Sequence, residues 1–303
     1  MSINVIIFIE FGIVGDLIGM IANIERLRGY ELDLLKRTES SIWDYYNVLL
    51  AYPNYEIYDI IHERSIVYED VNSANMTNIR KQMGFHKLRV NEDEIKYLTY
   101  LKKSAFEILH FEGKTLKDRI YDGLSVQEIV SASKQDGFAL NCRYISHIFC
   151  QILLSVGFKA RWVVCLSSDL MNRECHCVTE VYINDLNKWI IADAALGAFY
   201  FNEKGQMLNL YEMRKLYTNG KMPIIVANRM KEAEELQLYW MKNIFRFRFI
   251  KYNGTEALKG KQHYWGLNPK GFEMIDKSYT DICTKKEVDI KYSNDARAFW
   301  KID

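Results

Sequence analysis

Three side chains in this sequence have the types and order needed for covalent catalysis: the thiol of Cys142, the imidazole of His176 and the carboxylate of Asp193. A thiol that gives its proton to an imidazole becomes a nucleophile for a carbonyl carbon. A carboxylate behind the imidazole then fixes which ring nitrogen faces the sulfur. Asn141-Cys142-Arg143 opens a helical pattern, Glu174-Cys175-His176 enters a strand-like run, and Trp189-Ile190-Ile191-Ala192-Asp193 forms a second one. Everything depends on whether these elements bring the trio together.

The helix is the best-defined element. Ile145, Ile148, Phe149, Ile152, Leu153 and Val156 recur at three- and four-residue steps, the signature of one buried helical face. Asn141 suits the N-cap, Gly157 the left-handed stop and Phe158 the closing apolar contact. Cys142 shares the inward face of Ile145 and Phe149. In a first turn, unpaired backbone N–H groups and the helix dipole favour thiolate over thiol. His147 lies roughly 140° round the helix from Cys142 and is a poor partner for it.

Residues 161–167 and 175–183 read as strands. Alternation puts His176, Val178, Glu180 and Tyr182 on one face, with Cys175 and Cys177 on the other. Three adjacent strand residues cannot converge on one ion, so Cys-His-Cys is not read as a metal site, and no cofactor is expected. If Asn184-Asp185 forms a tight turn, Ile183 faces Leu186, and counting outward sets His176 opposite Asp193; a loop centred one residue later sets Ala195 opposite His176 instead. Directly opposed Cβ atoms lie roughly 5 Å apart, close enough for an imidazole–carboxylate hydrogen bond. Taken singly, each residue has a plainer role: inert buried thiol, structural histidine, turn-forming aspartate. Their conjunction carries the chemistry.

The remaining chain sets limits. Its 303 residues, 49% hydrophobic and 26% charged, describe a globular protein with a sizeable core. A net charge of +1 gives no case for nucleic acid or a membrane surface as partner. Six irregularly spaced cysteines suit free thiols in a reducing compartment, so a cytoplasmic location is expected. The apolar run 5–14 contains Glu10 and lacks a basic start, which makes it at most a degenerate export signal. Residues 40–51, 91–111 and 125–134 read as helices, the last with Ser125 and Glu128 as a capping box. Residues 209–217 and 229–243 read as helices and 244–252 as extended chain. Phe245-Arg246-Phe247-Arg248-Phe249 reads as a strand with an aromatic core face and an exposed basic face. His62, His86, His110 and His263 have no evident partners.

Three ordered segments resemble the transglutaminase-like superfamily. They are Leu140-Asn141-Cys142-Arg143 with Gly157-Phe158-Lys159-Ala160-Arg161, then His176-Cys177-Val178-Thr179-Glu180-Val181-Tyr182, then Trp189 to Asp193. The likeness covers about residues 135–197. It departs from the family pattern at Asn141, at Val178 where tryptophan is usual, and at Ala194 where proline is common. The resemblance implies an α+β fold, with a Cys-headed helix packed on an antiparallel sheet. A helical region (1–134) would precede the core (135–200), and a mixed region (201–303) would pack on it, with a single domain as the alternative. It also implies Cys142 as nucleophile, His176 as base and Asp193 as its orienting group, acting through a thioester on a peptide, protein or small-molecule amide or ester. Hydrolysis and transfer to an amine use the same trio, and a catalytically silent binding module is the alternative. The Cys142 backbone N–H would be one oxyanion donor and Gln135, placed in an upstream loop, a candidate second.

Overall fold

The computed structural model describes residues 40–58, 65–85, 93–115, 120–170, 175–227, 233–280 and 286–300. The run 5–14, Glu174, His62 and His86 fall outside them. The described helices are α1 (Ser40–Ala51), α2 (Ala74–Gln82), α3 (Glu94–Leu109), α4 (Val126–Asp136), α5 (Cys142–Ser155), α6 (Leu210–Thr218) and α7 (Ala233–Asn243). The first strands are β1 (Val67–Tyr68), β2 (Lys114–Thr115), β3 (Phe138–Ala139), β4 (Lys159–Leu166), β5 (Cys175–Ile183), β6 (Lys188–Asp193) and β7 (Ala198–Phe201). There follow β8 (Ile224–Ala227), β9 (Arg246–Ile250), β10 (Tyr252–Asn253), β11 (Gln262–Leu267), β12 (Lys277–Thr280) and β13 (Glu287–Ser293).

The architecture is α+β. A nine-stranded sheet runs in the order β12-β13-β11-β9-β4-β5-β6-β7-β8, antiparallel except where β11 meets β13. Strands β4 to β8 lie consecutively on one side, and β9 joins the later strands β11, β13 and β12 to β4 on the other. One face is covered by α5, whose Ile145, Ile148, Phe149, Ile152 and Leu153 share a core with α2, α3 and α4. The other face packs Val163, Val178 and Ile191 against α6, α7, Phe299 and Trp300. Alternation along β5 feeds both cores: Cys177, Val181 and Ile183 enter the first, Val178 the second. No helix among the described residues is long and apolar enough to cross a membrane.

The ends of α5 follow from their residue types. The Asn141 side chain accepts from the Tyr144 N–H at 3.2 Å. At the other end Gly157 takes φ 92°. There the Phe158 N–H donates to the Leu153 carbonyl and the Gly157 N–H to that of Leu154, which is the Schellman pattern. The Ser125–Glu128 capping box of α4 is also formed.

Two expectations need correction. Ile183 faces Lys188 rather than Leu186, because the turn holds four residues, Asn184 to Asn187. Asn187 adopts φ 50°, a left-handed conformation that asparagine tolerates. Glu94, at the start of α3, pins this turn by accepting from the Asn184 N–H at 2.6 Å and its side-chain amide at 2.7 Å. Continuing this register sets Val178, not His176, opposite Asp193. The slip is two residues, so His176 and Asp193 keep the same face and meet diagonally. The second correction concerns β9. It is a strand, but Arg246 is buried and Arg248 half-buried, because the sheet is covered on both sides.

Candidate active site

The N-terminal end of α5 abuts the first residues of β5. Arg143 is ion-paired with Asp122, whose carboxylate also accepts from the Tyr144 hydroxyl at 3.0 Å and the Gln262 amide at 3.2 Å. This buried network fixes the first turn of the helix and hence its cysteine. Cys142 is half-buried, with Sγ 3.8 Å from the Cys175 carbonyl oxygen. Its thiol also engages the Cys177 thiol and the His176 ring.

His176 is buried, and its Nε2–H donates to Asp193 Oδ2 at 2.8 Å. With Nε2 occupied, Nδ1 is the nitrogen left for the sulfur. Asp193 is itself fully held. Oδ1 accepts from the Leu196 N–H at 3.1 Å, and Oδ2 also accepts from the Tyr200 hydroxyl at 2.9 Å. The Trp240 indole N–H in turn donates to that hydroxyl at 3.0 Å. Tyr239 and Trp240 of α7 stand edge-on to the imidazole, with centroids at 5.2 and 5.1 Å. The Tyr239 hydroxyl donates at 3.2 Å to the same Cys175 carbonyl that Cys142 approaches.

This arrangement separates charge. Burial opposes a charged His176, but the Asp193 carboxylate, its hydrogen bond and the adjacent Cys142 outweigh burial and raise the ring from 6.5 to about 10. Cys142 moves well below the usual thiol range. A hydrogen bond from Cys177 is the largest influence, burial opposes it, and the His176 hydrogen bond and charge add to it. Cys177 is pushed well above that range and remains the protonated donor. The two shifts run in opposite directions, and both favour the thiolate–imidazolium form of the Cys142–His176 pair over the neutral one.

Several contributors lie outside the three segments singled out in the sequence. Lys102 of α3, buried against the Phe199 ring at 4.4 Å, donates to the Gly197 carbonyl beyond Asp193. His110 brings Nε2 to 2.9 Å from the Ala195 carbonyl, so it does have partners, as does His263 with Asp289 at 3.1 Å. Tyr200, Tyr239 and Trp240 are brought against His176 and Asp193 by packing that no local pattern encodes. His147 is buried on the other side of α5 beside Trp162, where burial and Arg143 lower its pKa to about 3. Gln135 lies not in a loop but exposed on the last turn of α4.

A cysteine at a helix start, set against histidine and aspartate on an antiparallel sheet, marks a papain-like core. Within that class, residues 93–194 match the family model of the transglutaminase-like superfamily. The matched segment runs from the N-cap of α3 to the residue after Asp193, and so begins well before the three segments at 135–197. A search of curated proteins finds no match to this chain.

Proposed function

We propose that this protein is a cysteine-dependent acyl-transfer enzyme acting on an amide or ester, with Cys142 as nucleophile, His176 as proton carrier and Asp193 as orienting group. The observation that supports it most is the 2.8 Å hydrogen bond from His176 Nε2 to Asp193 Oδ2, made by an imidazole that acts on the Cys142 thiol through its other side. In this reading the Cys142 thiolate attacks the carbonyl carbon. The negative charge that develops on the carbonyl oxygen is met by the free N–H of Cys142 in the first turn of α5. The C–N or C–O bond then breaks. His176 delivers its proton to the leaving group, and the acyl group remains as a thioester on Sγ. Water or an amine next attacks the thioester, giving its proton to His176, and Cys142 leaves as thiolate. Hydrolysis and transamidation thus share one path and differ only in the second nucleophile.

The test is alkylation by iodoacetamide near neutral pH together with hydrolysis of an activated ester, in the native protein and in Cys142→Ala. Fast, site-specific labelling of Cys142, an acyl adduct on it and loss of turnover in Cys142→Ala are expected. Labelling no faster than a free thiol, with no acyl adduct, would instead favour a catalytically silent binding module.

A further inference from the structure

The basic residues of β9 point to the sheet face that carries the thiols. Tyr292 of β13, Gly266 of β11, Arg248 of β9, Val164 of β4 and Cys177 of β5 are successive register partners across the sheet. The neighbouring row runs from Arg246 through Leu166 to Cys175. Directly paired residues share a face, and strands lie about 4.8 Å apart, so the Arg248 backbone is roughly 10 Å from that of Cys177.

Two polar atoms in this row are buried without a hydrogen-bond partner: Arg248 Nε and the Tyr292 hydroxyl oxygen. Gly266 makes room for the second, since a Cβ there would lie 2.3 Å from the Tyr292 ring. Lys277 of β12 faces the same side, through its pairing with Ile290 and the alternation that follows. Burial and then the charges of Arg248 and Arg246 lower the Lys277 pKa, which sets the three cations near one another. Their existing neighbours do not neutralise them. Arg246 Nε donates to the Ser167 carbonyl at 2.9 Å and Nη1 lies 3.6 Å from Met274 Sδ. Asp169 acts on Arg246 from a distance, and Asp276 is engaged by the Tyr292 N–H at 2.8 Å. Among the described residues no carboxylate forms an ion pair with Arg246, Arg248 or Lys277. A buried guanidinium nitrogen and a buried hydroxyl without partners are costly unless something occupies them.

We propose that Arg246, Arg248 and Lys277, with the Tyr292 hydroxyl, bind an anionic group of the substrate, a carboxylate or phosphate, on the sheet face that carries Cys175 and Cys177, with Arg248 the nearest of them in register, two strands from Cys177. The assignment rests on Cys142 as nucleophile and adds a substrate class to it: an acyl compound with a negative charge on one arm.

The experiment compares two reagents of equal length, N-iodoacetyl-γ-aminobutyrate and its uncharged amide, by their rates of Cys142 alkylation. The charged reagent is expected to react about tenfold faster, with inorganic phosphate slowing it alone. Arg248→Met should abolish the preference, and Lys277→Met, at an exposed position, should reduce it without a folding cost. Equal rates in the native protein, or a preference that survives both substitutions, would overturn the proposal. Calorimetry with unreactive N-acetyl-γ-aminobutyrate and its amide separates the two claims. If Cys142 reacts sluggishly with both reagents yet only the carboxylate binds, and Arg248→Met loses it, the anion site stands and the nucleophile assignment fails. Equal or absent binding of both rejects the anion site.

Discussion

Strand β5 carries two buried charge pairs on one face, and they are built to opposite ends. Glu180 sits across from Arg161, whose Nε and Nη2 donate to Oε2 at 3.1 and 2.8 Å. Its Oε1 accepts from the Leu210 N–H at 3.0 Å and the Trp300 indole at 2.9 Å, while the guanidinium stacks on Trp189 at 4.0 Å. Nothing of that carboxylate is left to offer. His176, four residues earlier, is just as buried, and its carboxylate partner is just as saturated, yet one imidazole nitrogen is left to the half-buried sulfur of Cys142. Burial and pairing alone therefore do not make a reactive site. A spare hydrogen-bonding position, aimed at a group that can be reached, does.

The largest expected effect falls on the open pair. Asp193→Asn should leave the fold intact while lowering turnover about 10⁴-fold, because the imidazole loses the partner that orients and charges it. Steady-state kinetics on an activated ester checks this, and a loss below tenfold would remove the distinction between the two pairs. The closed pair should respond in stability instead. Glu180→Gln strands a buried guanidinium and should cost about 3–5 kcal/mol in urea unfolding, with Cys142 alkylation by iodoacetamide unchanged. Alkylation that falls in step with stability would show the two pairs to be one unit.

Smaller effects sharpen the contrast. Tyr200→Phe removes one of the donors to Asp193 and leaves the Trp240 indole unpaired, for an expected loss of about 1–3 kcal/mol. The open pair also has a pH signature. His176 is raised from 6.5 to about 10, so its contribution to stability is fully present below 6.5 and is lost as pH rises through about 10. Urea midpoints of the native protein should decline over that window, and His176→Gln should flatten the decline. Last, Asn141→Ala should cost about 1 kcal/mol through loss of the α5 cap. A larger fall in turnover than in stability would show that the cap also places the thiol.

Much of this contrast was legible in the residue pattern, and the limits have physical causes. Local signals carried the cap, phase and stop of α5, because Asn141, the apolar spacing and Gly157 act within a few residues. Strand alternation placed His176 apart from Cys175 and Cys177. The tight-turn register erred by two residues because a turn pinned by Glu94, about ninety positions away in sequence, was counted as local. Face survived the error, since side-chain direction repeats every second residue. What those cysteines meet was not legible, because the approach of Cys177 to Cys142 depends on how α5 seats on β5. The Tyr200–Trp240 relay and the edge-on Tyr239 likewise depend on α7 crossing a distant face. The alternation at 245–249 revealed a strand, but not that both of its faces are covered.

The most direct test of the account is the pH dependence of Cys142 alkylation by iodoacetamide, followed by peptide mapping. A thiolate held by imidazolium should react at a rate that stays level through neutral pH and falls only on the acid side. Asp193→Asn should move that fall toward higher pH. A single rise centred near pH 8.5, the ordinary thiol value, and unmoved by Asp193→Asn, would contradict it.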